Sequence, residues 1–308
     1  MNISIFGATG FVGNYIIKTL TDNDYNVKAL VRKNSVSKLS NSAKIKLVKG
    51  DIDNYSSIKE TIKDTNIIIY NIGIIREFKN QNITFDNLHL EGFKRVLEAS
   101  KNESIDRIIL MSANGVCSDG TKYQVTKWKA EQELINSGIN WTIFRPSLIF
   151  GKPMHKSQPE FCSQLKRDMI MLPIPAPLFH EGILPIKSGL FELTPIHVEN
   201  VASFFVKSIR DTNTMNKIYE LGGLETYSWK EIIKIISNAC GKNKLMIPAP
   251  VIFVKLIASL FEKYKFFPIT KDQISMLMEG NIVEKNYFNE FDIEPIEFNS
   301  KSLGYLKN

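Results

Sequence analysis

The sequence predicts an α/β chain, with a doubly wound parallel sheet and a smaller, mostly helical C-terminal region. Three observations predict it. Short apolar runs alternate with segments of helical spacing through the first 150 residues. Those runs are apolar throughout rather than alternating, as strands covered on both faces are. The first of them leads directly into a glycine-spaced turn. Strand–helix repetition in this order implies right-handed crossovers onto one sheet.

In chain order, Ile3-Ser4-Ile5-Phe6 reads as the first strand and Val12 to Thr21 as the first helix. Val27 to Val31, Ile45 to Val48 and Asn66 to Tyr70 read as strands two to four. Phe85 to Ser100 has helical spacing, with Leu88, Phe93, Val96 and Leu97 on its core side. Arg107 to Met111 is a fifth strand, Lys122 to Ile135 a helix, and Trp141 to Phe144 a sixth strand. Beyond Gly151 the periodicity breaks at Pro153, Pro173, Pro175, Pro177, Pro185 and Pro195. A helix over Val198 to Ile209 and a strand over Lys217 to Leu221 then return. Ser228 is placed to N-cap a helix over about 229–239, opened by Trp229. Residues 1–150 therefore form the sheet domain, to which 194–224 cross back. Residues 151–193 and 225–308 make up a substrate or partner region.

Bulk composition excludes several classes. Of the 308 residues 44% are hydrophobic, enough for a sizeable core. The net charge of +7 comes from lysines scattered along the chain, without the dense basic run that nucleic acid would require. Cys117, Cys162 and Cys240 are odd in number and far apart, so reduced thiols are expected rather than a disulfide framework. The four histidines and these cysteines show no metal-ligand spacing. The apolar stretch Met1 to Phe6 is too short for a signal peptide, and no run approaches the ~20 residues that span a bilayer. A cytoplasmic location follows, with a position peripheral to a membrane as the variant. Val251 to Phe261 reads as a buried or interfacial helix.

Gly7-Ala8-Thr9-Gly10-Phe11-Val12-Gly13 places three glycines between a strand and a helix. In that context Gly7 permits the tight turn, Gly10 lets backbone N–H groups reach a pyrophosphate, and Gly13 lets the helix pack closely. The helix N-terminus then faces the phosphates, with Thr9 and Phe11 as further contacts. This is the signature of a Rossmann-type dinucleotide site. The end of the second strand carries Val31-Arg32-Lys33, two cations where an NAD-preferring site carries a carboxylate. Arg32 and Lys33 therefore point to NADP(H), with NAD(H) the alternative. Asp51 and Ile52 follow the third strand, placed to meet an adenine amino group and ring. Asn71 and Gly73 end the fourth and border the adenosine ribose.

Tyr123 and Lys127 stand at i and i+4 on one helix face. The lysine can hold the nicotinamide ribose while its charge favours a phenolate, so the tyrosine can pass a proton beside a hydride transfer. Together with Ser112, Arg145-Pro146 and Pro195-Ile196-His197-Val198-Glu199-Asn200-Val201-Ala202, these residues give the chain a resemblance to the short-chain dehydrogenase/reductase superfamily, in its extended or atypical branch. Asn71-Ile72-Gly73-Ile74-Ile75-Arg76-Glu77, Phe85 with His89-Leu90-Glu91-Gly92, and Met278-Glu279-Gly280-Asn281 narrow it. With these the chain looks most like the nucleotide-binding accessory subunit family of respiratory complex I, over residues 1 to about 285. That resemblance implies NADP(H), held in the complex I subunit as a structural ligand.

One departure matters. The superfamily's catalytic Ser or Thr after the fifth strand falls at Ala113 here, with Ser112 as a strand-end serine and Pro146 as a cofactor contact. Ser118 or Thr121 in the following loop are the available substitutes. Arg145 reads as a structural cation, and the aliphatic stretch over Met169 to Phe179 suits a quinone-like or lipid-like ligand, a partner surface or plain core packing. Three functions follow: an NADP(H)-dependent oxidoreductase or isomerase acting on a small molecule; a nucleotide-stabilised accessory or assembly protein of a membrane-associated complex; and a redox-sensing NmrA-like regulator.

Overall fold

The structure, a computed structural model, describes residues 1–39, 44–182, 184–261 and 269–307. The sheet domain begins with β1 (Asn2–Phe6), α1 (Phe11–Asp22), β2 (Asn26–Val31), β3 (Ile45–Lys49) and α2 (Tyr55–Ile62). It continues through β4 (Ile67–Tyr70), α3 (Gly92–Ser100), β5 (Arg107–Met111), α4 (Lys122–Ile135) and β6 (Trp141–Pro146). The second part contributes β7 (Ile149–Phe150), α5 (Phe161–Leu165), β8 (Ala176–His180), β9 (Glu192–Leu193) and β10 (Ile196–His197). After these come α6 (Val198–Ser208), β11 (Lys217–Leu221), β12 (Tyr227–Ser228), α7 (Trp229–Ala239), β13 (Met246–Pro250), α8 (Val251–Phe261) and α9 (Lys271–Glu279).

Seven strands form one sheet in the order β11-β6-β5-β4-β1-β2-β3, every pair parallel. The expected doubly wound architecture is therefore present, with β11 as the crossing-back strand. Alternate residues of each strand feed two cores. Ile3, Ile5, Val27, Ala29, Ile67, Ile69 and Ile109 pack under α1 and α6. Phe6, Leu30, Val48, Ile68, Ile108 and Leu110 pack under α2, α3 and α4. Burial on both faces is why the strands read as unbroken apolar runs.

The helices start where side chains satisfy their free N–H groups. Asn54 caps α2, while Thr121 with Gln124, Ser228 with Glu231 and Thr270 with Gln273 form capping boxes at α4, α7 and α9. The segment read as one helix from Phe85 to Ser100 opens with a π-helical turn, Asp86–Glu91, before α3. A third core surrounds Trp229, whose ring stacks between Phe179 and Phe191 and whose indole N–H donates to Pro177 O at 2.9 Å. Near the C-terminus, Phe288, Phe291 and Ile293 return to the first core against α6 and Phe144. The polarity of the intervening segment gave no sign of that return.

Candidate functional site

β1 and β4 are neighbours at the point where the sheet order reverses, and crevices for ligands open at the carboxyl ends of such strands. The glycine turn lies there. Gly7 has φ of +94°, and a Cβ on it would come within 2.6 Å of the Asn71 carbonyl beyond β4. A Cβ on Gly13 would come within 2.1 Å of Gly7 O, so α1 packs on the turn only without a side chain. Gly10 differs. Its φ is −72°, and an added Cβ would meet nothing nearer than Gly7 O at 3.4 Å. The protein itself leaves room for a methyl group at Gly10, on the exposed side of the turn. Gln158, nearly buried, donates to Thr9 O (3.3 Å) and Gly10 O (3.1 Å), and the Tyr15 hydroxyl donates to Lys152 O at 2.7 Å. These hold the turn, with Phe11 set edge-on to Tyr15, against the loop that follows β7. Gln158 carries no local signal, because its contact with Gly10 lies 148 residues away.

Arg32 and Lys33 extend from the end of β2, exposed, and neither forms an ion pair with another described residue. Asp51 is half-buried beyond β3. Ile52 is 3% exposed in the core between α2 and α3, where a Cβ on Gly92 would press on it at 2.7 Å. Asn71, half-buried, donates its backbone N–H to Phe6 O at 2.8 Å, bringing the end of β4 beside the end of β1.

The opposite wall comes from β5 and α4. Lys127 is 4% exposed, and its ammonium donates to Met111 O at 2.8 Å. Beyond that bond it faces Gly73, whose Cβ position lies 3.5 Å from Nζ. Burial lowers its pKa to about 8, opposed by the charge of Glu131. Beside Met111, the buried Ser112 Oγ has no hydrogen-bond partner among the described residues. Tyr123 stands one turn before Lys127, its ring edge-on to Phe85 (5.7 Å) and His89 (5.3 Å), and burial pushes its phenol up to about 12.

His89 is the residue whose chemistry the sequence left unread. The π-helical turn brings it inside at 1% exposure. Its Nε2 accepts the Ile74 N–H at 3.1 Å, and its Nδ1 lies 3.1 Å from Thr126 Oγ1, which itself donates to Lys122 O. That pattern requires a neutral ring protonated on Nδ1. Burial and the Lys127 charge hold its pKa well below the ordinary histidine range. His89 thereby fixes the backbone just after Gly73 and backs Tyr123.

Ala113 offers no hydroxyl. Of the substitutes, Thr121 is committed to its capping box, and Ser118 is exposed on the loop. That loop is tied to the C-terminal region: Asn114 Nδ2 donates to Asn281 Oδ1 (2.7 Å), and Gln124 Nε2 donates to Glu279 (2.9 Å). Arg145 makes a bidentate pair with the fully buried Glu131 (2.9 and 2.6 Å), so its cation serves a buried carboxylate, the structural part expected of it. Pro146 is buried at the end of β6, paired in register with Leu221. In the aliphatic stretch, Ile170, Leu178 and Phe179 are buried in the third core while Met171, Leu172 and Ile174 are exposed.

A turn that excludes a Cβ at Gly7 and Gly13 but leaves Gly10 open, two exposed cations, an orphaned hydroxyl and a buried ammonium all suit a dinucleotide. The NAD(P)H-binding family model matches residues 7–163, more than half of the chain. The chain belongs to that family. This NAD(P)H-binding chain is 25% identical to the 40 kDa subunit of the mitochondrial NADH-ubiquinone oxidoreductase of Neurospora crassa, over 99% of the chain and 78% of the relative. It is 27% identical to the mitochondrial NADH dehydrogenase [ubiquinone] 1 alpha subcomplex subunit 9 of Dictyostelium discoideum, over 88% of the chain and 74% of the relative. Among solved structures, the UDP-glucose 4-epimerase of Thermotoga maritima superposes with a TM-score of 0.72 at 14% identity, over 100% of this chain and 97% of that one. The fold is epimerase-like, and the expected likeness to subunits of the mitochondrial NADH-ubiquinone oxidoreductase stands.

Proposed function

We propose that this chain is an NADP(H)-dependent oxidoreductase or epimerase-type isomerase in which Lys127 anchors the nicotinamide ribose and Tyr123 moves the proton. The observation that carries this reading is the Lys127 ammonium. It is buried beside the end of β4 with one carbonyl partner, and no carboxylate lies within ion-pair distance among the described residues. Such a charge stands ready to donate to ribose hydroxyls. The preference for NADP(H) over NAD(H) rests on Arg32 and Lys33, free at the end of β2 to meet a 2′-phosphate. NADP(H) bound here supplies the hydride chemistry. Tyr123 is held protonated by its apolar setting, so the resting phenol donates, and Lys127 one turn away stabilises the phenolate left behind. The substrate class, small and quinone-like or lipid-like, is inferred from the aliphatic character of residues 169–179.

A second reading is a nucleotide-stabilised accessory or assembly protein of a membrane-associated complex. Ala113 favours it, since of the two substitutes for the missing hydroxyl Thr121 is spent on a cap and Ser118 is exposed on the loop. It also agrees with the relatives named above. One experiment separates the two. The purified protein is analysed for co-purified nucleotide, and bound NADPH is challenged with a panel of quinones and carbonyl compounds. Under the first reading NADPH is oxidised, and Tyr123→Phe lowers turnover by about 100-fold or more while sparing binding. Binding without turnover in the unaltered protein leaves the accessory role.

A further inference from the structure

α8 and β13 present a surface that neither reading of the nucleotide site uses. α8 is apolar on opposite faces. Val251 and Ala258 are buried and, with Val254, pack toward Ile274 and Met278. At 100° per residue, Ile252, Phe253, Leu256 and Leu260 fall within one arc of about 100° on the far side. They are 68, 62, 58 and 58% exposed. A helix that only packed on the body of the protein would carry polar side chains there. The apolar surface continues into β13 through exposed Leu245 and Ile247. The Lys244 ammonium, bonded to Ile170 O and Leu172 O, sets the exposed turn after Ile170 beside it.

We propose that this face docks on an anionic lipid bilayer, with α8 lying in the plane of the interface. Two observations select that occupant. From Gly241 to Phe261 the chain carries Lys242, Lys244 and Lys255 and no Asp or Glu. Lys255, half-buried, stands at the border between the two faces of α8, where its stem can lie along apolar surface with its charge at headgroup level. A second copy of the chain would set this single-sign charge against itself, whereas an anionic bilayer neutralises it. No helix among the described residues is long and apolar enough to cross a bilayer. Apolar side chains sinking about 5–10 Å into the interface supply the affinity, and lysine attraction selects anionic headgroups.

The test is vesicle flotation of the full chain on phosphatidylcholine with or without phosphatidylglycerol. The protein floats with the phosphatidylglycerol vesicles and much less with phosphatidylcholine alone. The F253S/L256S variant lowers the partition constant by about tenfold or more, and K255E lowers it several-fold on the anionic vesicles only. NADPH binding stays unchanged in both variants, which keeps this outcome separate from any failure at the nucleotide site. The proposal is overturned if the protein ignores both vesicle types or if F253S/L256S floats like the parent. It is equally overturned if sedimentation shows a dimer that F253S/L256S dissociates, since a second copy would then cover α8.

Discussion

Lys127 governs how the nucleotide site responds to pH. Its folded pKa, about 8, lies below its ordinary value of 10.5. The folded protein therefore sheds this proton first, and stability of the nucleotide-free chain rises between about pH 8 and about pH 10.5 as only the unfolded state stays charged. Nucleotide affinity runs the other way. Loss of the ammonium above about pH 8 removes a cation facing a polyanion, so calorimetric titration with NADPH shows affinity falling there. Lys127→Met gives weaker binding and a flat profile over the same range. Individual side chains were unevenly legible. Lys127 and Tyr123 could be found because their spacing of four is a local property of one helix. His89 could not be assigned chemistry, because its partners Ile74 and Thr126 come from other elements and its inward aim depends on an irregular turn.

At the scale of elements, the turn between β1 and α1 contains two glycines that do different work. Gly13→Ala forces a Cβ against the Gly7 carbonyl, and thermal denaturation should show a loss of about 2 kcal/mol. Gly10→Ala meets no such barrier and keeps the parent melting temperature without ligand, yet it loses most NADPH affinity. Retained affinity in Gly10→Ala would show that the open space beside it is not the phosphate site. The turn and all seven sheet strands stand out in the sequence because each is a contiguous run. α2 has no visible period, since Ile58 and Ile62 are the only apolar residues among the three it buries; its one clear sign is the cap at Asn54. The short strands β7, β9, β10 and β12 were equally invisible, being two-residue pairings fixed by distant partners.

For the whole molecule, nucleotide binding and folding are linked. Ligand at 100 times Kd adds about 2.7 kcal/mol, or about 5 °C in melting temperature for a chain of this size. NADPH should stabilise more than NADH at equal concentration, and Arg32→Asp should reverse that order in a thermal-shift assay. The overall architecture was readable because strand–helix alternation and a glycine turn constrain the topology to few choices. The return of Phe288, Phe291 and Ile293 to the first core was not, since three apolar residues in a polar segment look the same whether packed or exposed. Gln158 binds the two parts more tightly than a boundary at Gly151 suggests. It grips the carbonyls of Thr9 and Gly10 from a loop belonging to the C-terminal part. Whatever orders that loop also readies the phosphate turn, and thermodynamic reciprocity makes the exchange mutual: a ligand filling the turn tightens the loop by the same free energy. News of an occupied nucleotide site thus has a physical route out of the sheet domain, two hydrogen bonds long.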